Sequence, residues 1–296
     1  MPDFVVPLPP AFRRSEVLAF HGRDPLQLAE RVDGGRLRKG LLLDGQAGVL
    51  SIELGEEVAL CRFDGDGRGE GADVARLAGI VERMLGLHLE PGQFETRFCD
   101  DPLLGPLIAR QPGLRIPQAA TAFEALTWAI TGQQINLAFA ITLRRRLIER
   151  AGRRHSSGLW CYPQAEQLAD LTPEELGELK FTRAKSETLV RVARQVAAGE
   201  LDLEALAGCD PMVAERQLTA VKGIGPWTAH YTLLRGLGMA DCSLHGDVAV
   251  RNALTTLTGS EGKLTVTDAE RVLGRYAPFR SLAAAHLWAS LSKSEA

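Results

Sequence analysis

The segment LTAVKGIGPWTAHYTLLR, Leu218 to Arg235, has residue types and spacing suited to holding an anion. A helix pattern ends at Val221, Gly223-Ile224-Gly225 makes a tight turn, and Pro226 opens a second helix at the position where proline is favoured. The two glycines permit left-handed dihedrals and close backbone approach. Their amides, with the N-terminus of the second helix, form an outward-pointing site suited to a DNA phosphate. Taken alone, Gly-x-Gly is equally an ordinary helical hairpin with a glycine stop. Trp227, Tyr231 and Leu234 stand at i, i+4 and i+7, on one side of the second helix. Core packing produces such stripes too. Arg144, Arg145, Arg146, Arg150, Arg153 and Arg154 make a basic helix face, either solvated or in contact with phosphate. The six histidines and five cysteines lack metal-ligand spacing, and no phosphate-cradling P-loop is present.

With the stretch DCSLHGDVAVRNAL, Asp241 to Leu254, the hairpin resembles the helix-hairpin-helix DNA glycosylase superfamily, in which a Gly/Pro-rich stretch and an essential Asp follow the hairpin. Aligned on that pattern, the carboxylate falls on Asp247, 22 residues after Gly225. Asp241 is the alternative and fits less well, and His245-Gly246 replaces the usual family dipeptide. Asp247 also makes sense without the family. It immediately precedes a helix pattern, where N-cap amides and the helix dipole favour a carboxylate. An isolated Asp in that position would be a cap and nothing more. Held there beside the hairpin, it can stabilise an oxocarbenium-like sugar and position or deprotonate a water.

Within the superfamily the resemblance narrows. Members that also cleave the DNA backbone carry a lysine nucleophile two residues beyond the last hairpin glycine; Trp227 stands there, and Lys222 lies before the turn. Iron–sulfur members carry four clustered cysteines after the catalytic helix, whereas no cysteine follows Cys242. The chain is most similar to 3-methyladenine DNA glycosylase II, the AlkA type. AFEALTWAITGQQINLAFA (Ala122 to Ala140), YPQAEQLADLTPEEL with TRAKSETLVRVARQVAAGEL, and RYAPFRSLAAAHLWASL (Arg275 to Leu291) carry that resemblance. It covers nearly the whole chain, strongly after about Leu114 and weakly before.

The resemblance implies a monofunctional hydrolase with no iron–sulfur cluster, no other cofactor, and room for a monovalent cation at the hairpin. It implies Asp247 as the catalytic carboxylate, Gly223, Ile224 and Gly225 as the DNA-backbone contact, and Trp227, Tyr231 and Trp288 as an aromatic base-binding cleft. Such a cleft suits purines made cationic by alkylation. Base flipping needs a wedge, which falls on Gln134 or Ile135 where the family typically has leucine; a simple helix connection is the plainer reading of that loop. The expected partner is double-stranded DNA containing damaged bases, bound by a monomer. Two alternatives stay open: a non-catalytic DNA damage-binding protein, and a glycosylase for oxidised or deaminated purines.

These residues need elements to position them. The chain has 296 residues, 45% hydrophobic and 24% charged, which excludes disordered, collagen-like and membrane architectures. Strand signals at residues 40–44, 48–54 and 57–63 read as an antiparallel meander, with Leu50, Ile52 and Leu54 on its buried face. A glycine-rich acidic loop (Asp64 to Gly71) leads into a helix striped by Val74, Leu77, Ala78, Val81, Met84 and Leu85. Pro/Gly punctuation over 101–117 marks a boundary. About ten helices follow, with capping boxes expected at Thr172/Glu175 and Thr267/Glu270. The expected fold is mostly α: an N-terminal α+β domain with an antiparallel sheet over 1–104, then an all-helical glycosylase region over 105–296, in two subdomains flanking the cleft.

The net charge of −3 argues against a nucleic-acid partner when taken whole. Split at the boundary, residues 1–104 hold 12 Lys/Arg against 18 Asp/Glu, and residues 105–296 hold 22 against 19. The N-terminus lacks a basic n-region and an apolar h-region, so the expected location is cytoplasmic, nucleoid-associated in a bacterium.

Overall fold

The computed structural model describes residues 3–66 and 73–291; the expected loop at Asp64 to Gly71 lies mostly outside them. The chain opens with β1 (Asp3–Pro7), α1 (Arg14–His21), β2 (Glu30–Asp33), β3 (Arg36–Leu43), β4 (Gln46–Leu54), β5 (Val58–Gly65) and α2 (Val74–Leu85). The expected meander is β3–β4–β5, and Asp44 and Gly45 join its first two strands with the positive φ angles of a type I′ turn. Two further strands extend it into an antiparallel sheet of order β1-β5-β4-β3-β2. Neither announced itself in the sequence. β1 ends in Pro7, which an edge strand tolerates, and β2 reads ERVD, too charged for a strand signal. Leu50, Ile52 and Leu54 are buried against α2, with Leu77, Val81, Met84 and Leu85 opposite, while Val74 stays exposed.

Next come α3 (Gly92–Phe98), α4 (Gly105–Arg110), α5 (Ala122–Gly132), α6 (Leu137–Ala151), β6 (Arg153–Arg154), β7 (Trp160–Cys161), α7 (Ala165–Ala169), α8 (Pro173–Glu178) and α9 (Arg183–Ala197). A 3₁₀ turn at Ala205–Gly208 precedes α10 (Pro211–Thr219), α11 (Pro226–Leu237), α12 (Val248–Thr258), α13 (Val266–Gly274) and α14 (Arg280–Leu291). The ten expected helices are α5 to α14. The capping box at Thr172/Glu175 forms as expected. The second cap lies two residues earlier: Thr265, not Thr267, accepts the Asp268 amide, because Thr265 and Asp268 offer the same Ser/Thr-x-x-acid spacing.

The second region is not wholly helical. β6 and β7 form a two-residue pair that lies against the sheet, and the Trp160 amide donates to the Leu28 carbonyl at 3.0 Å. Gly40 makes that approach feasible, since a Cβ there would stand 2.0 Å from the Trp160 carbonyl oxygen. The larger core centres on α5, which is buried along nearly its whole length. Leu89, Phe94 and Leu104, on the N-terminal side of the expected 104/105 boundary, pack into this larger core. No helix among the described residues is long and apolar enough to cross a membrane.

The basic face of α6 is a correction. Arg144 is buried and bonds Glu30 and Glu124, Arg146 donates to the Leu179 carbonyl, and Arg153 donates to the Gly45 carbonyl. Arg150 pairs with Glu175 and Arg145 faces Asp24. Arg144, Arg145 and Arg146 join elements together, while Arg150, Arg153 and Arg154 keep the solvated face that the sequence suggests. At its centre lie four buried charges. β2–β3 register places Glu30 opposite Lys39, whose Nζ reaches Glu30 at 2.5 Å and Glu124 at 2.7 Å. Arg144 reaches the same two carboxylates at 2.6 Å each. Burial opposes ionisation of both glutamates, but Arg144 and Lys39 outweigh it and hold them well below the usual carboxylate range. This cluster binds the sheet to α5 and α6.

Candidate active site

Asp247 is the N-cap of α12, with extended backbone (φ −71°, ψ 129°). Its Oδ1 accepts the Val250 amide at 2.9 Å, which explains why a helix begins at this residue. The rest of its coordination is unusual for a cap. Trp227 Nε1 donates to Oδ2 at 2.9 Å, and Trp288 Nε1 donates to Oδ1 at 3.1 Å. Two indoles from α11 and α14 thus meet on one carboxylate. All three donors are uncharged, and among the described residues no cation pairs with Asp247. Its formal charge is oriented but not neutralised. The alternative, Asp241, is fully engaged elsewhere: its carboxylate takes Arg280 Nε at 2.6 Å and Nη2 at 2.8 Å, fastening the start of α14. His245 turns to Ser243, its Nδ1 lying 2.8 Å from that hydroxyl.

Trp227, Tyr231 and Trp288 form a continuous aromatic wall. Ring centroids are 5.4 Å apart between Trp227 and Tyr231, and 6.3 Å between Tyr231 and Trp288. All three are half-buried and line an open cleft of about 1250 Å³ that also holds Asp247. Leu234, the third member of the stripe, is core.

The hairpin between α10 and α11 stands at the mouth. Gly223 has φ +99°, and a Cβ there would lie 2.0 Å from Thr188 Oγ1, so only glycine fits. Ile224 is buried and anchors the turn, and its amide bonds the Val221 carbonyl. The amides of Gly223 and Gly225 have no acceptor among the described residues, and both glycines are exposed. The carbonyls of Lys222 and Gly223 accept Arg191 Nη1 and Gln133 Nε2, so a monovalent cation at the turn would need other carbonyls. Among the described residues, no group of three or more His, Cys, Asp or Glu is placed to hold a metal ion.

The α5–α6 loop lies across the cleft. Gln134 is exposed with φ +54°, a strained backbone for a residue other than glycine, whereas Ile135 packs partly against Trp128. Gln133 donates to the Gly223 carbonyl at 3.1 Å and to Thr228 Oγ1 at 2.9 Å, tying this loop to the hairpin. That role was invisible in sequence, because Gln133 and Gln134 are identical neighbours and only the fold distinguishes them.

Four cleft residues went unrecognised. Trp128 donates its indole N–H to the Tyr231 hydroxyl at 2.9 Å, and its rarity was the one available signal. Phe20 at the end of the N-terminal domain's α1, Arg23 just beyond it, and Arg235 also line the cleft, and nothing in their spacing pointed there.

The chain matches two family models: "HhH-GPD superfamily base excision DNA repair protein" over residues 127–278 and "AlkA N-terminal domain" over residues 4–121. It is 36% identical over 191 residues to a DNA-3-methyladenine glycosylase of Bacillus subtilis, covering 64% of this chain and 63% of that protein. It is 32% identical over 187 residues to DNA-3-methyladenine glycosylase 2 of Escherichia coli, covering 62% and 63%. The chain thus aligns with somewhat under two thirds of each relative's length. Its fold is that of a 3-methyladenine DNA-glycosylase from Archaeoglobus fulgidus, with TM-score 0.83, 97% of both chains covered and 23% identity.

Proposed function

The chain belongs to the HhH-GPD superfamily of base excision DNA repair proteins, and we propose that it is a monofunctional DNA glycosylase that removes damaged purines from duplex DNA. The observation that carries this reading is the Asp247 carboxylate, oriented by two indole N–H groups and a helix-cap amide, uncompensated, at the wall of an aromatic cleft. As the bond between sugar and base lengthens, positive charge develops on the sugar. A fixed carboxylate stabilises that charge without reorganising, and can take the proton of the attacking water. An ion-paired carboxylate could do neither well.

The remaining geometry supports the same reading. Exposed hairpin amides offer donors to a phosphate oxygen of the duplex. Gln134 projects from a loop whose position Gln133 holds, so it is the better candidate for filling the gap left by a flipped base. Trp227 occupies the place a Schiff-base lysine would need, and among the described residues no lysine lines the cleft. Backbone cleavage is therefore not part of this activity. In this reading the protein works as a monomer in the cytoplasm, and a monovalent cation at the hairpin would support phosphate binding rather than the chemistry.

The test is base release from alkylated duplex DNA under single-turnover conditions, with the abasic product scored for strand cleavage. Free 3-methyladenine or 7-methylguanine with intact strands is the expected result. Tight binding of damaged duplex without base release would identify a damage-binding protein instead.

A further inference from the structure

The cleft has a second pole opposite in character to Asp247. The Arg23 guanidinium carbon lies 4.2 Å from the Phe20 ring centroid and 4.4 Å from that of Trp128. The Arg235 guanidinium carbon lies 4.5 Å from Phe20 and 5.1 Å from Trp288. Both residues line the cleft. Among the described residues, neither guanidinium has a carboxylate within ion-pair distance, and Arg23 makes no hydrogen bond at all. Arg235 donates from Nη1 to the Pro117 carbonyl at 2.5 Å and lies beside the Tyr231 hydroxyl oxygen, while its buried Nε has no partner. Tyr231 accepts the Trp128 N–H, so its own hydroxyl proton is free to point into the cleft.

Such an arrangement is costly unless something answers it. Buried donors without acceptors and like charges side by side both destabilise a fold. Burial draws the Arg235 pKa down to about 10 and lowers that of Arg23, against the opposing pull of Tyr231 on both and of Glu30 and Glu124 on Arg23. The faces of Trp288 and Trp128 already carry guanidiniums, so they are poorly suited to a second cation. A cationic alkylated purine would therefore meet like charge here. A neutral purine with a carbonyl edge would meet acceptor-hungry donors.

We propose that Arg23 and Arg235 are specificity-determining residues that hold the acceptor edge of a neutral purine lesion and stabilise the charge it carries away. This rests on the glycosylase reading above. For a neutral purine, the C1′–N bond breaks with its electron pair going to the base nitrogen, so the base departs as an anion. Water adds to C1′ and gives up a proton, and the base anion takes one up. A purine alkylated at N3 or N7 is a cation and departs neutral, leaving no anion for the guanidiniums to stabilise. The N-terminal domain, through Arg23 just beyond α1, thereby takes part in choosing the lesion.

Single-turnover release of hypoxanthine and of 7-methylguanine from otherwise identical duplexes tests this, with melting temperature and duplex affinity measured alongside. Arg23→Met is expected to slow hypoxanthine release by roughly ten- to a hundredfold more than it slows 7-methylguanine release. Arg23→Lys, which keeps the charge, should restore part of the loss. Arg235→Met should show the same selective loss, with a lower melting temperature from the missing Pro117 bond. Equal slowing of both lesions would overturn the proposal, and an equal fall in duplex affinity would reassign the arginines to phosphate contact. Release of 7-methylguanine alone by the wild-type protein would overturn it too, leaving the glycosylase reading intact. Release of neither base would end both.

Discussion

Asp247 and the Glu30–Glu124 pair are carboxylates held by several donors apiece, yet the donors differ in kind. Glu30 and Glu124 are buried and held by Lys39 and Arg144, so that two negative and two positive charges cancel. Asp247 is half-exposed and held by Trp227, Trp288 and the Val250 amide, none of them charged. Full cancellation makes a joint. Orientation without cancellation leaves a negative charge able to act on something that enters later. The same residue chemistry thus serves architecture in one place and is available for reaction in the other, according to whether its partners carry charge.

That contrast is sharpest where one member is removed. Glu124→Ala should lower folding stability by about 3–5 kcal/mol, because Lys39 and Arg144 would be left buried beside a single carboxylate. Denaturant unfolding reads this, and a loss within experimental error would show the cluster to be replaceable. Asp247→Asn should do the opposite. Asparagine caps helices as well as aspartate does, but its NH2 would face the Trp227 N–H where Oδ2 now accepts, so stability should fall by only about 1–3 kcal/mol while base release falls by roughly 10²–10³-fold. Undiminished release would remove Asp247 from its role.

Acid should act first on the buried region. His21, beside the cluster with its Nε2 3.0 Å from the Met84 carbonyl, has its pKa lowered by burial from 6.5 to about 4. Its unfolded form binds the proton more readily, so the stability gained by keeping it neutral is complete above 6.5 and lost as pH falls towards 4. His21 contributes a slope of about 1.4 kcal/mol per pH unit over that window, and His286, likewise lowered by burial to about 4, contributes as much again. Glu30 and Glu124, with depressed values, should hold their contribution until pH falls below the ordinary glutamate range. His21→Phe should flatten the upper part of the curve.

Trp288→Phe removes one neutral donor from Asp247 and keeps a ring in the wall, so release should slow by roughly tenfold, with stability little changed. The smallest effect concerns the whole surface. Since the α6 arginines are engaged within the protein, duplex binding should rest on hairpin amides and the wedge loop. Its salt dependence should then be shallow, well below that of proteins neutralising many phosphates. A steep slope measured by titration would reveal a basic surface elsewhere.

Local patterns were legible wherever a short stretch of chain determines its own geometry. The Gly223–Gly225 turn, Pro226 at a helix start, the cap at Asp247 and the period of α2 all depend on neighbours within a few positions. The same holds for the meander and for the capping box at Thr172. Where the pattern offered equal choices nearby, the reading drifted, as at Thr265 in place of Thr267. β2 was lost because its ERVD sequence is explained only by a partner strand, with Glu30 paired to Lys39 across it. Arg144 of α6 misled for the same reason: one of four arginines on that helix, it looks solvent-facing until Glu30 from β2 and Glu124 from α5 reach it.

By itself the sequence determined a helical hairpin with two glycines at its turn, a carboxylate at a helix start, and a strand-rich region followed by a helical one; that Gly223 admits no other residue came from Thr188 across the fold. Tertiary structure alone supplied the partners that separate Asp247, which the resemblance favoured, from Asp241: two indoles reach the first and Arg280 the second. It also brought Arg23 and Arg235 to one ring, Phe20, across more than two hundred residues of chain. The physical reason is range. Backbone propensity and capping act over a few residues, whereas electrostatic partnership depends on distance in space, which only the packed fold sets.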